Sequence, residues 1–283
     1  MRKVAKFIWK EFIYGGHLQC LGIVGITYIS GFLLNLRTSW EILVSVYLIF
    51  YSIYINDRLR HIKLDELTNP ERVKHFKSYF FLIPKIILFA ISCLLAILFY
   101  IDKLNFTIFS LLLLFFGLAY PIYFKNLTKK LIAFKNFYVG TLFTAATLAP
   151  IIYYFYAPDY SVLFSLVFFM ILVFIKSILM QILLDIKDIE SDKSLHLLTA
   201  PILIGEERTF TFLKISNSLT TLSLLLTGFI LRLFPGQMLI LLFAIPFNFY
   251  SYKLAENQNY YGYVLGSGEF ALWLILILFA KMI

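Results

Sequence analysis

Charge is scarce in this chain of 283 residues: Asp, Glu, Lys and Arg together make up 14% of it. Cysteine is nearly absent as well. Cys20 and Cys93 both lie in apolar stretches without metal-type spacing, which indicates packing residues rather than a disulfide or a metal site. Since little chain remains outside the apolar stretches, there is no room for a separate soluble domain, and we expect a single domain over residues 1–283.

Apolar residues dominate what is present, at 61% of the chain with a mean hydropathy of +0.85. A membrane-spanning helix needs about 17–25 such residues. Nine candidate spans can be marked off, at Leu18–Leu36, Trp40–Ile55, Tyr79–Ile101, Phe106–Phe124, Asn136–Tyr156, Val162–Leu184, Phe210–Phe234, Met238–Tyr252 and Tyr263–Ile283. Backbone groups in hydrocarbon need partners within their own segment, and the alternation of a membrane barrel is missing. The sequence therefore predicts an all-α, polytopic membrane protein with nine transmembrane helices.

The basic residues are distributed unevenly between the two sets of loops that nine spans define. Eighteen Lys and Arg residues fall on the side of the N-terminus and 4 on the other side. By the positive-inside rule, we expect the N-terminus and the loops after even-numbered spans to face the cytoplasm. The basic pI near 9.3 then reflects topology and contact with the anionic lipid bilayer, and it does not indicate a nucleic-acid partner.

Ten of the 16 acidic residues lie in two short polar segments, 56–72 and 185–208, which we call the first and second acidic islands. In the second island, Asp185, Asp188 and Asp192 have offsets that place three carboxylates on one helical face. Because like charges repel, a cation is their natural partner, and ligands that are all oxygens favour a hard ion such as Mg²⁺. Lys187 is placed to add a phosphate contact.

In the first island, Asp57, His61 and Asp65 recur every four residues. They share one face if the second helix continues beyond the membrane. The Asn69-Pro70 pair predicts the end of that helix and a turn that directs Arg72 back toward the same space. A solvated, mixed-charge helix end would explain the first island alone. Two islands together indicate divalent cations held against a charged lipid head group.

These motifs resemble those of the UbiA superfamily of intramembrane prenyltransferases. Members have nine transmembrane helices and aspartate-rich cytoplasmic motifs after helices two and six, and the resemblance covers essentially the whole chain. The second motif, DxxDxxxD followed by T-x-P-x-x-x-G, is matched by Asp185, Asp188, Asp192, Thr199, Pro201 and Gly205. The first motif, NxxxDxxxD with its N-x-P-x-R turn, is matched by Asp57, His61, Asp65 and Thr68-Asn-Pro-Glu-Arg72. Tyr120-Pro121, Lys125 and Lys135-Asn136 resemble the loop between helices four and five.

The resemblance implies a bundle around a central cavity that transfers a prenyl group from a polyprenyl diphosphate to an aromatic or other lipophilic acceptor. It implies Mg²⁺, with Mn²⁺ as a substitute, held by Asp57, Asp65, Asp185, Asp188 and Asp192. It further implies that Arg72, Lys125 and Lys187 bind the diphosphate. Ionisation of the C1–O bond would leave an allylic cation that the acceptor traps.

Two positions depart from the family pattern. Asp57 replaces the usual Asn, and His61 replaces the central Asp of the first motif. A neutral imidazole is a poor ligand for Mg²⁺, so His61 either weakens the first metal site or hydrogen-bonds a phosphate oxygen. A UbiA-type terpene cyclase, another diphosphate-using transferase and a non-catalytic relative stay open as alternatives. A transporter is also an alternative, although its charges are expected near the bilayer midplane rather than at helix ends.

Overall fold

The computed structural model describes residues 2–282, apart from the side chains of Arg2, Lys3, Leu64, Leu67, Lys125 and Asn126. Over these residues the chain forms helices and no β-strand, which confirms the all-α prediction. The α-helices are Arg2–Tyr14 (α1), His17–Leu33 (α2), Trp40–Thr68 (α3), Pro70–Lys77 (α4), Ile83–Ile101 (α5), Leu104–Ala119 (α6), Phe134–Ala146 (α7), Ala149–Tyr154 (α8), Tyr160–Lys187 (α9), Ile189–Ser194 (α10), Ala200–Ile204 (α11), Glu206–Ile230 (α12), Ala244–Glu256 (α13), Tyr260–Ser267 (α14) and Glu269–Ala280 (α15). Tighter 3₁₀ turns cover Phe80–Leu82, Lys125–Lys129 and Gly236–Phe243, and a π-helical turn covers Tyr120–Phe124.

Within residues 2–282, seven helical segments are individually long and apolar enough to cross a membrane. They are Trp40–Lys63, Phe80–Ile101, Leu104–Phe124, Phe134–Tyr154, Tyr160–Lys187, Glu206–Ile230 and Gly236–Glu256. Two more pass the same test as bent pairs: α1 with α2, at an angle of 56°, and α14 with α15, at 52°. Counting each bent pair as one span gives up to nine spans, which is consistent with the nine predicted.

The first bend includes a helix that the sequence analysis did not predict. The predicted span at Leu18–Leu36 corresponds to α2, whereas α1 is a separate helix whose basic residues interrupt the apolar run. Gly16 joins the two with a φ of 86°, a left-handed conformation that side-chain-bearing residues rarely adopt. A Cβ there would also lie 3.2 Å from the Cβ of Tyr54 on α3. The bend sets α1 against α4, where Lys10 Nζ lies 2.8 Å from Oε2 of Glu71.

The core lies between α2, α3, α9 and α15, where Phe169 and Trp273 are completely buried. The two ends of the chain meet here, because α2 packs directly on α15. Gly22 and Gly25 allow this close approach, since an added Cβ at Gly25 would lie 2.8 Å from the backbone oxygen of Phe270. Small residues at such contacts are the usual means by which membrane helices pack tightly.

Two long helices carry the acidic islands. The α3 helix continues 13 residues past the predicted span end at Ile55, to Thr68, which confirms the predicted extension of the second span. The α9 helix ends at Lys187, and Asp188 forms a joint to α10 with φ −98° and ψ 12°. The second island is therefore divided, because Asp185 belongs to α9 whereas Asp192 belongs to α10.

Candidate active site

A cavity of about 220 Å³ lies where α3, α7, α9, α10 and α14 converge. Both acidic islands line it, so the structure brings together segments that are more than 100 residues apart in the sequence. The polar island residues on its wall are Asp57, Arg58, His61, Asp65, Arg72, Lys187, Asp188, Ser191 and Asp192. A direct contact joins the islands as well: Asn69 Nδ2 donates to Asp188 Oδ1 at 3.3 Å.

The first island is held by contacts within α3 and from α4. His61 Nδ1 lies 2.9 Å from the backbone oxygen of Asp57 and 3.1 Å from its Oδ1. Since both are acceptors, Nδ1 carries a proton and donates to Asp57, which leaves Nε2 as the ring atom not engaged there. Pro70 begins α4 in the first turn, where a missing N–H costs nothing. That turn places Arg72 Nη2 2.7 Å from Asp65 Oδ1, as the sequence predicts.

Asp185 differs from the other carboxylates of the second island, because it is fully buried and does not line the cavity. Lys135 Nζ lies 2.8 Å from its Oδ1, and Asn136 Nδ2 donates to its Oδ2 at 2.7 Å. Both of its oxygens are thus engaged by α7. Lys135 itself lines the cavity. Its ion pair with Asp185 therefore holds the ammonium group near the space that Asp188 and Asp192 face.

Four basic side chains line the cavity among the described residues: Arg58, Arg72, Lys135 and Lys187. Burial alone opposes ionisation of Asp188, but Lys187, Lys135 and Arg72 outweigh it, and they lower the pKa of this carboxyl below its ordinary value. Asp188 is therefore an anion at neutral pH, surrounded by cations.

Two guanidinium nitrogens in this group have unmet hydrogen-bonding capacity. Nη1 of Arg58 and Nε of Arg72 are buried and have no hydrogen-bond acceptor among the described residues. A buried donor without an acceptor costs free energy, so a native protein normally satisfies it. An anion with several oxygens, such as a diphosphate, supplies acceptors of this kind.

Arg58 was not predicted from the sequence, although a signal was present. Arg58 precedes His61 by three residues and Asp65 by seven, which puts it on the same helical face as both. Of the predicted diphosphate ligands, Arg72 and Lys187 line the cavity, and Lys187 Nζ also lies 5.7 Å from the ring centroid of Tyr260. The side chain of Lys125 lies outside the described part of the structure.

The donor atoms suit magnesium. Among the described residues, no three His, Cys, Asp or Glu side chains are close enough together to enclose a metal ion by themselves. Mg²⁺ does not need such a cage, because it keeps several waters and binds through one or two carboxylates together with substrate phosphates. Asp57, Asp65, Asp188 and Asp192 offer carboxylate oxygens on one cavity wall, and the described wall residues include no thiol. This set fits a hard divalent ion bound with a diphosphate.

The cavity wall also includes aromatic and apolar side chains, with Phe50, Leu142, Phe143, Tyr120, Tyr138 and Tyr263 among its residues. Tyr120 begins the π-helical turn, a local irregularity that frequently marks functional sites. Its ring centroid lies 5.0 Å from that of Tyr138. Gln19, Gln181 and Ser267 add uncharged polar groups to the wall.

Comparison with known proteins agrees with this architecture. The model of the UbiA prenyltransferase family matches residues 82–261. The sequence has no match among curated proteins.

Solved structures share the fold over nearly the whole chain. A UbiA homologue from Aeropyrum pernix, without ligand, is 14% identical with a TM-score of 0.67 over 93% of this chain and 98% of that one. A UbiA homologue from Archaeoglobus fulgidus, bound to GPP and Mg²⁺, is 14% identical with a TM-score of 0.63. The match covers 97% of this chain and 100% of that one. Digeranylgeranylglyceryl phosphate synthase is 18% identical with a TM-score of 0.55. The match covers 99% of this chain and 97% of that one.

Proposed function

This chain is a member of the UbiA prenyltransferase family and a multi-pass integral membrane protein, and we propose that it transfers a prenyl group from a polyprenyl diphosphate to an aromatic or other lipophilic acceptor. One observation carries the proposal: the carboxylates and cations of both islands line one cavity whose remaining wall is mostly aromatic and apolar. A charged head group and a hydrocarbon chain on the same substrate require both kinds of wall. Homologous structures bound to GPP or DMAPP with Mg²⁺ support this assignment.

We assign the metal to Asp57, Asp65, Asp188 and Asp192. Magnesium, when bound, supplies compensation for the charge that develops on the leaving diphosphate. Asp185 is proposed to serve the same end indirectly, since its two contacts from α7 hold Lys135 in place. Its participation as a metal ligand would require the Lys135 ion pair to open.

The diphosphate is proposed to lie among Arg58, Arg72, Lys135 and Lys187. Charge-assisted hydrogen bonds from these donors become stronger as the C1–O bond breaks, because negative charge then grows on the phosphate oxygens. The buried, unsatisfied nitrogens of Arg58 and Arg72 gain acceptors in this arrangement. Preorganised donors of this kind need no rearrangement at the moment of reaction.

The aromatic wall is proposed to protect and stabilise the allylic cation. Tyr120 and Tyr138 lie next to each other on the cavity wall, with ring centroids 5.0 Å apart. A cation over an aromatic face is stabilised by the ring quadrupole, and exclusion of water prevents premature hydrolysis. The acceptor then supplies the electron pair that forms the new bond to C1, and the proton that its attacking atom loses passes to the released diphosphate.

We further propose that the N-terminus and both islands face the cytoplasm, which the excess of basic residues on that side supports. Single cysteines placed near Lys74 and Lys193 should then be labelled only when a membrane-impermeant reagent reaches the cytoplasmic face. Labelling of the two positions from opposite faces would contradict a shared cavity.

The activity is tested with purified protein in detergent, given prenyl diphosphates of several lengths and a panel of lipophilic acceptors. We expect diphosphate release and a prenylated product that depend on Mg²⁺ and stop when a chelator is added. Formation of a cyclic hydrocarbon without an acceptor would instead indicate a terpene cyclase. Absence of diphosphate release with every donor would contradict an enzymatic role.

A further inference from the structure

The first helix, α1, takes no part in the chemistry proposed for the cavity, yet its residues form a distinct pattern. Its 13 residues read RKVAKFIWKEFIY and include four basic residues and one acidic residue. At about 100° per residue, the basic residues cover roughly a third of the helix circumference. Val4 and Ile8 lie opposite to them, and Trp9 lies at the boundary between the two faces. The helix is therefore amphipathic, with a basic face and an apolar face.

A third edge of α1 packs on α4 and fixes the rotation of the helix about its own axis. His75 Nε2 lies 2.7 Å from Oε2 of Glu11, and the Tyr79 hydroxyl donates to the same oxygen at 2.6 Å. The ring centroids of Phe7 and Tyr14 lie 4.9 Å and 5.9 Å from that of His75. Since this edge faces the protein, the other two faces of α1 are presented outward in a defined orientation.

The same contacts fix the depth of α1. Tyr79 directly precedes the span Phe80–Ile101, so its partner Glu11 lies at the level where that span begins. The α2 helix has 17 residues, which is long enough to cross a bilayer without α1, and α1 meets it at an angle of 56°. Five charged residues also exclude α1 from the hydrocarbon interior. We therefore place α1 along the membrane surface.

The apolar face of α1 is exposed at this level. Val4 is 63% exposed, Ile8 is 61% exposed and Trp9 is 54% exposed. A helix with such a face and a charged opposite face lies in the plane of the interface, with its apolar side chains at the boundary between head groups and acyl chains. Tryptophan suits this boundary, because its ring is apolar and its N–H reaches polar groups.

The basic face of α1 continues onto α4 as a cluster of Lys6, Lys10 and Lys74, which we call the basic patch. Lys10 Nζ lies 2.8 Å from Oε2 of Glu71. The hydrogen bond from Lys10, together with the charges of Lys74 and Lys6, lowers the pKa of Glu71 below its ordinary value. Three ammonium groups against one carboxylate leave a net charge of 3 − 1 = +2. Anionic head groups are attracted to such a patch, whereas a second copy of this chain would bring a second patch of the same sign.

We propose that α1 docks on an anionic lipid surface, with Val4, Ile8 and Trp9 at the acyl-chain boundary and the basic patch bound to the head groups. This surface lies apart from the charged wall of the cavity, and its role does not depend on prenyl transfer. Because α4 carries both Lys74 and Arg72, one short helix joins the lipid surface to the cavity wall.

Trp9 provides the reporter for the test. The chain has three tryptophans; Trp273 is completely buried, and Trp40→Phe removes the other exposed one. This protein is placed in equimolar bilayers of phosphatidylcholine and phosphatidylglycerol, in which one lipid at a time carries brominated chains that quench tryptophan on contact. Trp9 should prefer phosphatidylglycerol roughly fivefold or more, since one lysine near an anionic surface contributes about that factor. Lys6→Gln/Lys74→Gln should bring the preference close to one.

Two further variants keep this result interpretable. Lys129→Gln/Lys130→Gln removes the same charge from an exposed loop that bonds to the segment after the second motif helix, and it should keep the preference. Lys6→Arg/Lys74→Arg keeps the charge and should keep the preference as well. The proposal is overturned if neither lipid quenches Trp9, if both quench it equally, or if the glutamine variant of the basic patch retains the preference. An unquenched Trp9 in a dimeric protein would assign the apolar face to a second copy instead.

Discussion

At the scale of single residues, His61 is the feature that most affects the first metal site. Its Nδ1 donates to Asp57, so the imidazole holds the carboxylate that it adjoins on α3. Asp65 is held in turn by Arg72 at 2.7 Å. A carboxylate at position 61 would add a third anion to this face, whereas the histidine adds a donor. The first island therefore has fewer oxygen ligands than the pattern it resembles.

We expect His61→Asp to increase the apparent Mg²⁺ affinity without loss of turnover, because repulsion between adjacent carboxylates is relieved by a cation. His61→Asn is the control, since it removes the imidazole without adding charge, and it should leave the Mg²⁺ affinity near that of wild type. Titration of diphosphate release against Mg²⁺ measures both. Lower turnover in His61→Asp would show that the imidazole serves the diphosphate instead.

At the scale of elements, a shared face for Asp57, His61 and Asp65 required that the second helix continue past Ile55, and Asn69-Pro70 predicted where it ends. The joint at Asp188 was not predictable, because residues 185–192 contain neither proline nor glycine. The Lys135–Asp185 contact joins positions 50 residues apart, and no local pattern reports such a pairing. The bend between α14 and α15 depends likewise on contacts that α15 makes with α9.

The buried Lys176–Glu269 pair is one such contact, and removing one partner should be costly. Glu269→Gln leaves an unpaired ammonium group in the bundle, and we expect a loss of about 3–5 kcal/mol, in the range seen for broken buried pairs. Lys176 also donates to Asn217 Oδ1 and Thr221 Oγ1, but these neutral acceptors do not replace the lost negative charge. The double variant Lys176→Met/Glu269→Leu should recover much of the stability.

The pair Lys214–Glu256 provides the matched control. It also joins two helices, with Nζ 2.5 Å from Oε1, but its side chains are 31% and 34% exposed. Glu256→Gln should therefore change stability by less than about 1 kcal/mol. Thermal unfolding in detergent compares the four proteins. Equal effects of Glu269→Gln and Glu256→Gln would show that the buried pair does not stabilise the bend.

At the scale of the whole molecule, the bundle holds two distant acidic islands over one cavity and lines that cavity with aromatic side chains as well. Composition predicted an all-helical membrane protein, because apolar runs long enough to span a bilayer are compatible with few other folds. The motifs predicted most of the charged wall. Gln19, Gln181 and Ser267 were not predictable, since isolated polar residues in apolar helices give no pattern until the bundle brings them together.

The central claim is that both islands hold one metal-bound diphosphate, and calorimetric binding of geranyl thiodiphosphate with and without Mg²⁺ tests it most directly. We predict that wild type binds this analogue only with Mg²⁺, and that Asp65→Asn and Asp188→Asn each abolish the metal-dependent binding although they lie on different islands. Asp159→Asn, an exposed helix cap at the start of α9, should bind as wild type does. Binding that needs no metal, or that survives loss of either island, would contradict the account.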